Sequence, residues 1–255
     1  MPPRQALQPA TAVDACADIL RARVVAGEVP PGGRFPPERE LAEQLGVDRG
    51  TLRTALQRLV QSGLLSQRQG SGTVVLDYRA TGGPDLLLPL LRQAKGSALL
   101  ALVDDLLLLR RHLAGAVLER LADGVDDEAL AEVTRAVDAF AALVDQEERA
   151  DDDAISAADV AVLAAVVRAA RRPVLSLCVN PLVAVLGSLP ILRAAIVARA
   201  VDSVVGWRLL QVWLAAPDRA SIGPLLEALR ERDGDSLARV AAALGVSRDS
   251  KEESR

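Results

Sequence analysis

Side chains capable of covalent or metal chemistry are scarce in this chain, which has one histidine, His112, and two cysteines, Cys16 and Cys178, in 255 residues. A multi-histidine metal centre needs several imidazoles, and a disulfide framework or four-cysteine zinc site needs more thiols. No histidine-paired cysteine or serine can be nominated as a nucleophile. His112 directly follows Arg110 and Arg111 and reads as a surface or packing residue. Asp151-Asp152-Asp153 lacks the longer ligand spacing of a calcium loop and reads as a solvated turn and helix cap. No catalytic residue, metal or cofactor is therefore expected. The chemistry that remains is recognition by arginine. Arg49 and Arg53 are one helical turn apart, opposite the apolar positions Leu52, Ala55, Leu56 and Leu59, so both guanidinium groups can face a groove and pair with phosphate or with the acceptor edge of guanine. Gly50 between them lets a backbone approach closely. Gln69-Gly70-Ser71-Gly72 is a glycine-rich tip able to enter a minor groove, with Arg68 beside it for phosphate. A strand pattern follows this tip where a phosphate-binding loop would have a helix N-terminus, which argues against nucleotide binding.

The elements that must hold these residues can be read from periodicity and punctuation. Thr11 and Asp14 have the spacing of a capping-box variant, and Val13, Ala17, Leu20 and Val24 then repeat at helical intervals until Gly27. After the turn Pro30-Pro31-Gly32-Gly33, prolines and acids at Pro36-Pro37-Glu38 suit the first turn of a second helix, with Leu41, Ala42 and Leu45 facing inward. Gly46 allows a reversal, Asp48 caps a third helix, and Gly63 closes it. Two short helices joined by a glycine turn are the helix-turn-helix unit, whose second helix enters the major groove of double-stranded DNA. Leu64 to Arg68 and Thr73 to Leu76 read as two short strands around the glycine tip, forming a wing.

Composition sets the rest. Hydrophobic residues make up 50% of the chain but aromatic ones only 2%, so the apolar content is nearly all Ala, Leu and Val, a mixture that favours helices. Residues 1–78 carry net +1 and residues 79–255 net −5, so the two parts differ in task. No basic-then-apolar signal sequence opens the chain, and sparse cysteine suits a reducing, cytoplasmic location. Pro173 to Leu192 has no Asp, Glu, Lys or Arg over nearly the length of a membrane span, but Pro181, Pro190, Gly187 and Ser188 should break it into short pieces of buried core. The fold class expected is mostly α: a winged helix-turn-helix with a small hairpin over 1–78, a linker over 79–84, an all-α bundle of six or seven helices over 85–246, and a charged tail over 247–255. The bundle's helices are expected at Ser97–Ala122, interrupted at Gly115, then at Asp126–Glu148, Asp153–Ala170, Val174–Leu186, Leu192–Leu214, Asp218–Arg232 and Asp235–Leu244.

The run Gly27, Pro31-Gly32, Pro36-Pro37-Glu38-Arg39-Glu40-Leu41-Ala42, Leu45-Gly46-Val47, Arg49, Thr51-Leu52-Arg53, Ala55-Leu56, Leu59, Gly63-Leu64-Leu65, Gly70-Ser71-Gly72-Thr73-Val74-Val75 resembles the winged helix of GntR-family transcription regulators over about seventy residues. The resemblance implies that Arg39, Arg49, Thr51, Arg53 and Gly70 sit at the DNA; with Gly50, Arg68 and Ser71 from the reading above they make up the expected DNA-binding set, and two short half-sites of a palindromic operator call for a homodimer. Asp48 stands where the family usually has Ser or Thr, and its charge would repel phosphate. Arg110 or Arg111, Asp159-Val160-Ala161-Val162-Leu163, Pro173 and Leu226 to Asp235 resemble, in order, the effector domain of the FadR subfamily. Many of its members hold a divalent metal with an aspartate, a histidine four residues on and two later histidines. Here Leu163 occupies the first histidine position and no histidine follows His112, so no metal is expected. Some relatives lack the metal and bind long-chain acyl-coenzyme A, and the resemblance implies an effector pocket around Asp159, Leu163, Val166, Val167 and Asn180, with Leu177, Val185 and Leu189 as further apolar walls. A small, apolar, fatty-acid- or acyl-like effector follows. The alternative is a helical lipid or small-molecule binding protein whose winged helix mediates protein contacts.

Overall fold

The computed structural model describes residues 12–68, 72–146 and 151–246, and it divides into two compact units, one ending at Gln93 and the other starting at Ala94. In the first unit, α1 (Ala12–Val25), α2 (Glu38–Leu45) and α3 (Arg49–Gln61) precede an antiparallel hairpin of β1 (Leu65–Arg68) and β2 (Gly72–Val75), in which Leu65 pairs with Val75 and Gln67 with Thr73. The inward stripes meet in one core: Leu20 of α1, Leu41 of α2, Leu52, Leu56 and Leu59 of α3, and Leu65 and Val75 of the hairpin are all buried. Gly46 ends α2 in the left-handed conformation, donating its N–H to Ala42 and Glu43. The Thr11 cap, most of the wing tip and the tail lie outside the described residues.

The turn at residues 30–33 does more than reverse the chain. Gly32 N–H donates to the Val75 carbonyl at 2.8 Å, Val75 N–H to Gly33 at 2.9 Å and Phe35 N–H to Thr73 at 3.2 Å, so Arg34 bridges to Val74 as a third rung on the wing. Residues 79–84, expected as a linker, are ordered. Tyr78–Thr81 form a helical turn, α4, capped by Asp77, and the Thr81 hydroxyl donates to the Gly63 carbonyl at 2.7 Å. Gly63 has φ +73°, and a Cβ there would lie 2.2 Å from the Thr81 carbonyl oxygen, so only glycine permits this contact. A 3₁₀ turn at Pro84–Leu86 and α5 (Leu87–Gln93) follow, with Leu86 buried in the first unit's core and α5 packed on α1. The division therefore comes about ten residues later than composition suggests, because the leucines after Pro84 serve the first unit's core.

The second unit contains seven helices among the described residues: α6 (Gly96–Leu121), α7 (Asp127–Val144), α8 (Asp152–Ala169), α9 (Pro173–Ser188), α10 (Pro190–Val197), α11 (Ala200–Ala215) and α12 (Ile222–Leu244). Helix α7 packs on α8 and α11, α8 on α9, and α12 on α6 and α10. Phe140, Val133 and Val137 of α7 meet Val162 and Val166 of α8 and Leu214 of α11 in the core. Three expectations are corrected. Gly115 does not interrupt α6, which runs through it. The expected helix Leu192–Leu214 divides at Ala198 and Arg199, where the Arg199 side chain is held by Asp202 and Asp235. The two expected helices from Asp218 to Leu244 are a single α12, because Asp233 turns inward to Arg110 and Arg111 of α6 and this ion pairing outweighs the weak helix propensity of Asp233-Gly234. The apolar stretch from Pro173 breaks at Leu189, where α9 and α10 meet at 86°, and not at Pro181. Among the described residues no single helix is long and apolar enough to cross a membrane; this bent pair passes by length and composition alone, and its Val179, Leu182, Val185, Leu186 and Leu192 are buried in the bundle.

Candidate nucleic-acid interface and effector cavity

Helix α3 buries Leu52, Ala55, Leu56 and Leu59, which leaves Arg49, Gly50 and Arg53 on its solvent face. Asp48 fixes the start of the helix: its carboxylate accepts from Thr51 N–H at 2.9 Å and from the Thr51 hydroxyl at 2.6 Å. These two bonds, the hydroxyl's first, hold the Asp48 carboxyl below the ordinary carboxylate value. Thr51, expected at the DNA, thus spends both its donors on the cap, leaving its hydroxyl only acceptor capacity, which phosphate cannot use. Gly50 lies close under the same cap, for a Cβ there would sit 3.0 Å from Asp48 Oδ1. Arg53 donates to Glu38 of α2 at 2.9 Å, and Arg39 lies 3.6 Å from Glu43 on its own helix; both pairs are exposed and cost little to exchange for phosphate. Arg49 is exposed with no ion pair among the described residues. Gly70, Ser71 and the side chain of Arg68 lie outside the described residues. Sequence reading passed over Arg34, which the third rung places on the wing, because nothing in its local pattern marks it as part of the hairpin.

In the second unit a cavity of about 180 Å³ opens among α6, α8, α9, α11 and α12. Leu163, Val166 and Val167 of α8 line it, together with Val117, Leu182 and Leu210. Asn180 does not: it is exposed on the outer side of α9, a hundred degrees around the helix from Val179, which does line the cavity. Leu177 is exposed for the same reason, and Val185 and Leu189 are buried elsewhere in the core. Asp159 stands behind the wall. Trp207 Nε1 donates to its Oδ1 at 2.5 Å, and Arg232 Nη2 lies 3.7 Å from its Oδ2. Arg232 also stacks over the Trp207 ring at 5.8 Å. The carboxylate that the family resemblance places in a metal site is here neutralised by a guanidinium, with Leu163 a turn further on supplying no lone pair. Among the described residues no group of three or more His, Cys, Asp or Glu side chains is placed to hold a metal ion.

Sequence reading missed the cavity's charged edge. Arg110 and Arg232 both line it. Burial pushes the Arg232 guanidinium below its ordinary pKa, against the pull of Asp159. Asp233, only 1% exposed, receives both Arg110 and, at 3.0 Å, Arg111. Arg110 Nε remains buried with no hydrogen-bond partner among the described residues. Arg110 and Arg232 thus edge the apolar space, with Asp233 and Arg111 behind the first and Asp159 behind the second. The adjacent arginines and the Leu226–Asp235 run were visible in the sequence, but not the fact that α6 and α12 bring them together.

Residues 12–75 match the sequence model for bacterial regulatory proteins of the gntR family. The HTH-type transcriptional regulator Mce2R of Mycobacterium tuberculosis is 46% identical over 85 residues, which is 32% of this chain and 35% of that protein. A protein named fatty acid metabolism regulator protein from Klebsiella pneumoniae is 38% identical over 120 residues, 45% of this chain and 50% of that one. Another of that name, from Edwardsiella ictaluri, is 33% identical over 155 residues, 60% of each chain. The matched regions thus span between 35% and 60% of these curated relatives. Among solved structures, Lar, described as controlling expression of the Listeria monocytogenes agr system, superposes with a TM-score of 0.57 at 16% identity, over 91% of this chain and 97% of that one, and so shares the fold. The chain carries, over residues 12–75, the helix-turn-helix domain of the gntR family of bacterial regulatory proteins.

Proposed function

We propose that this protein is a DNA-binding transcriptional regulator whose operator affinity answers a small apolar acid. The observation that carries the reading is the solvent face of α3, where Arg49 and Arg53 stand one turn apart beside a wing, in a domain matched to the gntR family. The Asp48 cap fixes the first turn of this helix, where base edges are read. One copy supplies little field, since residues 1–78 carry only +1, so two copies acting as a homodimer on a twofold-symmetric operator suit the charge and the short reach of each recognition helix.

The effector reading rests on the cavity. Its volume of about 180 Å³ is comparable to the ~150 Å³ apolar cavity that takes up one benzene, which favours a short hydrocarbon body over a long acyl chain. The surplus of guanidinium over carboxylate at Arg110, Arg111, Arg232, Asp159 and Asp233 favours a single negative charge on that body, because buried charge needs a partner. The names of the Klebsiella and Edwardsiella relatives agree with a fatty acid as effector. Calorimetric titration with the straight-chain acids from butanoate to octanoate tests this. Binding should peak at a short chain and be lost in Arg232→Met, while the methyl esters fail to bind; equal binding of acid and ester would overturn the anionic reading.

A further inference from the structure

The walls of the cavity are not equally covered. Val117, Leu118, Val166, Val167, Leu182 and Leu186 line it and are buried. The lining residues that are exposed to solvent are Gly206 and Leu209 of α11 and Ala228 of α12. Helix α11 packs mainly on α7 and α8, and α12 mainly on α6 and α10, so these two helices flank an opening instead of closing on each other. The cavity therefore has a closed hydrocarbon end and a mouth between α11 and α12. Leu209, 61% exposed although large and apolar, forms the sill of that mouth. One charged group stands just inside it. The Arg232 side chain is 19% exposed, and a Cβ on Gly206 would lie 3.9 Å from its Nη1. Its Nη2 is 3.7 Å from Asp159, longer than a hydrogen bond, and that carboxylate already accepts from Trp207. Arg110, the other guanidinium on the cavity, is held by Asp233. Glycine weakens a helix interior, and at position 206 it leaves the Arg232 guanidinium uncovered from the solvent side.

We propose that the mouth between α11 and α12 admits the effector hydrocarbon first, that its carboxylate stops on Arg232 beside Gly206, and that the side chain at position 206 sets which acids fit. A guanidinium presents parallel N–H donors to a carboxylate, and those of Arg232 meet Asp159 only across 3.7 Å. Desolvation favours the same direction, since the chain reaches the buried apolar walls while the charge stays where water still has access. The inverted direction would carry the carboxylate among Val117, Leu118, Val166 and Leu182, whose side chains offer it no donor. Space at Gly206 is then left for a branch next to the carboxylate. The inference rests on the effector reading above and deepens it by giving the ligand a direction and naming a specificity-determining residue.

A size series at position 206 in the full chain tests this, with the tightest-binding straight-chain acid between butanoate and octanoate as probe and tryptophan fluorescence, to which Trp207 at the cavity contributes, as readout. Gly206→Ala makes only an ordinary contact with Arg232 and should bind within about threefold of the wild type. Gly206→Leu covers the guanidinium and should weaken binding by about tenfold or more, and by a larger factor for an acid with a methyl branch next to its carboxylate. Both replacements favour a helix over glycine. Val205→Leu, exposed on α11 and away from the cavity lining, should change nothing. A wild type that binds none of these acids overturns the effector reading and this inference together. Where the wild type binds and Arg232→Met does not, equal binding by Gly206→Leu, or an equal loss in Val205→Leu, overturns the mouth alone. Should Gly206→Leu fail to fold by circular dichroism, Ala228→Leu on the facing wall decides, with the same tenfold loss expected and unchanged binding overturning the proposal.

Discussion

Asp48 places two requirements in opposition at one residue. Its carboxylate organises the first turn of α3 through Thr51, and in the proposed DNA complex it carries a negative charge to where phosphate would come. Because its pKa is depressed in the folded chain, the stability it contributes is present above the unfolded value, about 3.9, and is lost as pH falls through the lower folded value. Hydrogen exchange at Thr51 N–H should therefore lose protection in that acid range, while Asp48→Ser keeps the cap and removes the acid dependence. Unchanged protection of wild-type Thr51 down to pH 2 would contradict the assignment. This cap was legible in the sequence because it is local: an Asp before an apolar-periodic run says where a helix starts. What Thr51 does was not legible, since a threonine three residues into a helix can face either a cap or a phosphate, and only the 2.6 Å contact decides.

At the scale of elements, agreement and failure follow the same line between local and long-range forces. The winged-helix elements came from capping, glycine turns and stripe spacing, all of which act within a few residues. Helix α12 did not, because Asp233-Gly234 signals a break locally while Arg110 and Arg111, more than a hundred positions earlier, hold Asp233 in the helix. The same distance hid the cavity's cationic edge, and the outward turn of Asn180 could not be told from an inward one without knowing which face of α9 meets its neighbours. Asp233 should consequently be a keystone. Asp233→Ala leaves two part-buried guanidiniums without their carboxylate and should destabilise the helical unit by about 3–5 kcal/mol. Both tryptophans, Trp207 and Trp213, lie in that unit, so urea unfolding followed by their fluorescence reads it directly. A loss below about 1 kcal/mol, the range of a surface pair, would show that Asp233 is not the support described.

At the scale of the whole molecule, the two units divide the work as charge and composition do. The first is close to neutral and depends on where its few arginines stand; the second is acidic outside, apolar within, and keeps a small knot of arginines beside its cavity. The central claim is that the first unit reads a specific DNA sequence through the exposed face of α3. Selection of binding sites from random duplex DNA by the full-length protein, followed by titration of the enriched site at fixed salt, tests it most directly. The account predicts a twofold-symmetric site bound with a Kd of about 10⁻⁸ M or tighter, and a penalty of about 1–3 kcal/mol for Arg49→Ala in a protein that remains folded. Failure to enrich any sequence, or an enriched site that Arg49→Ala binds as tightly as the wild type, would contradict it.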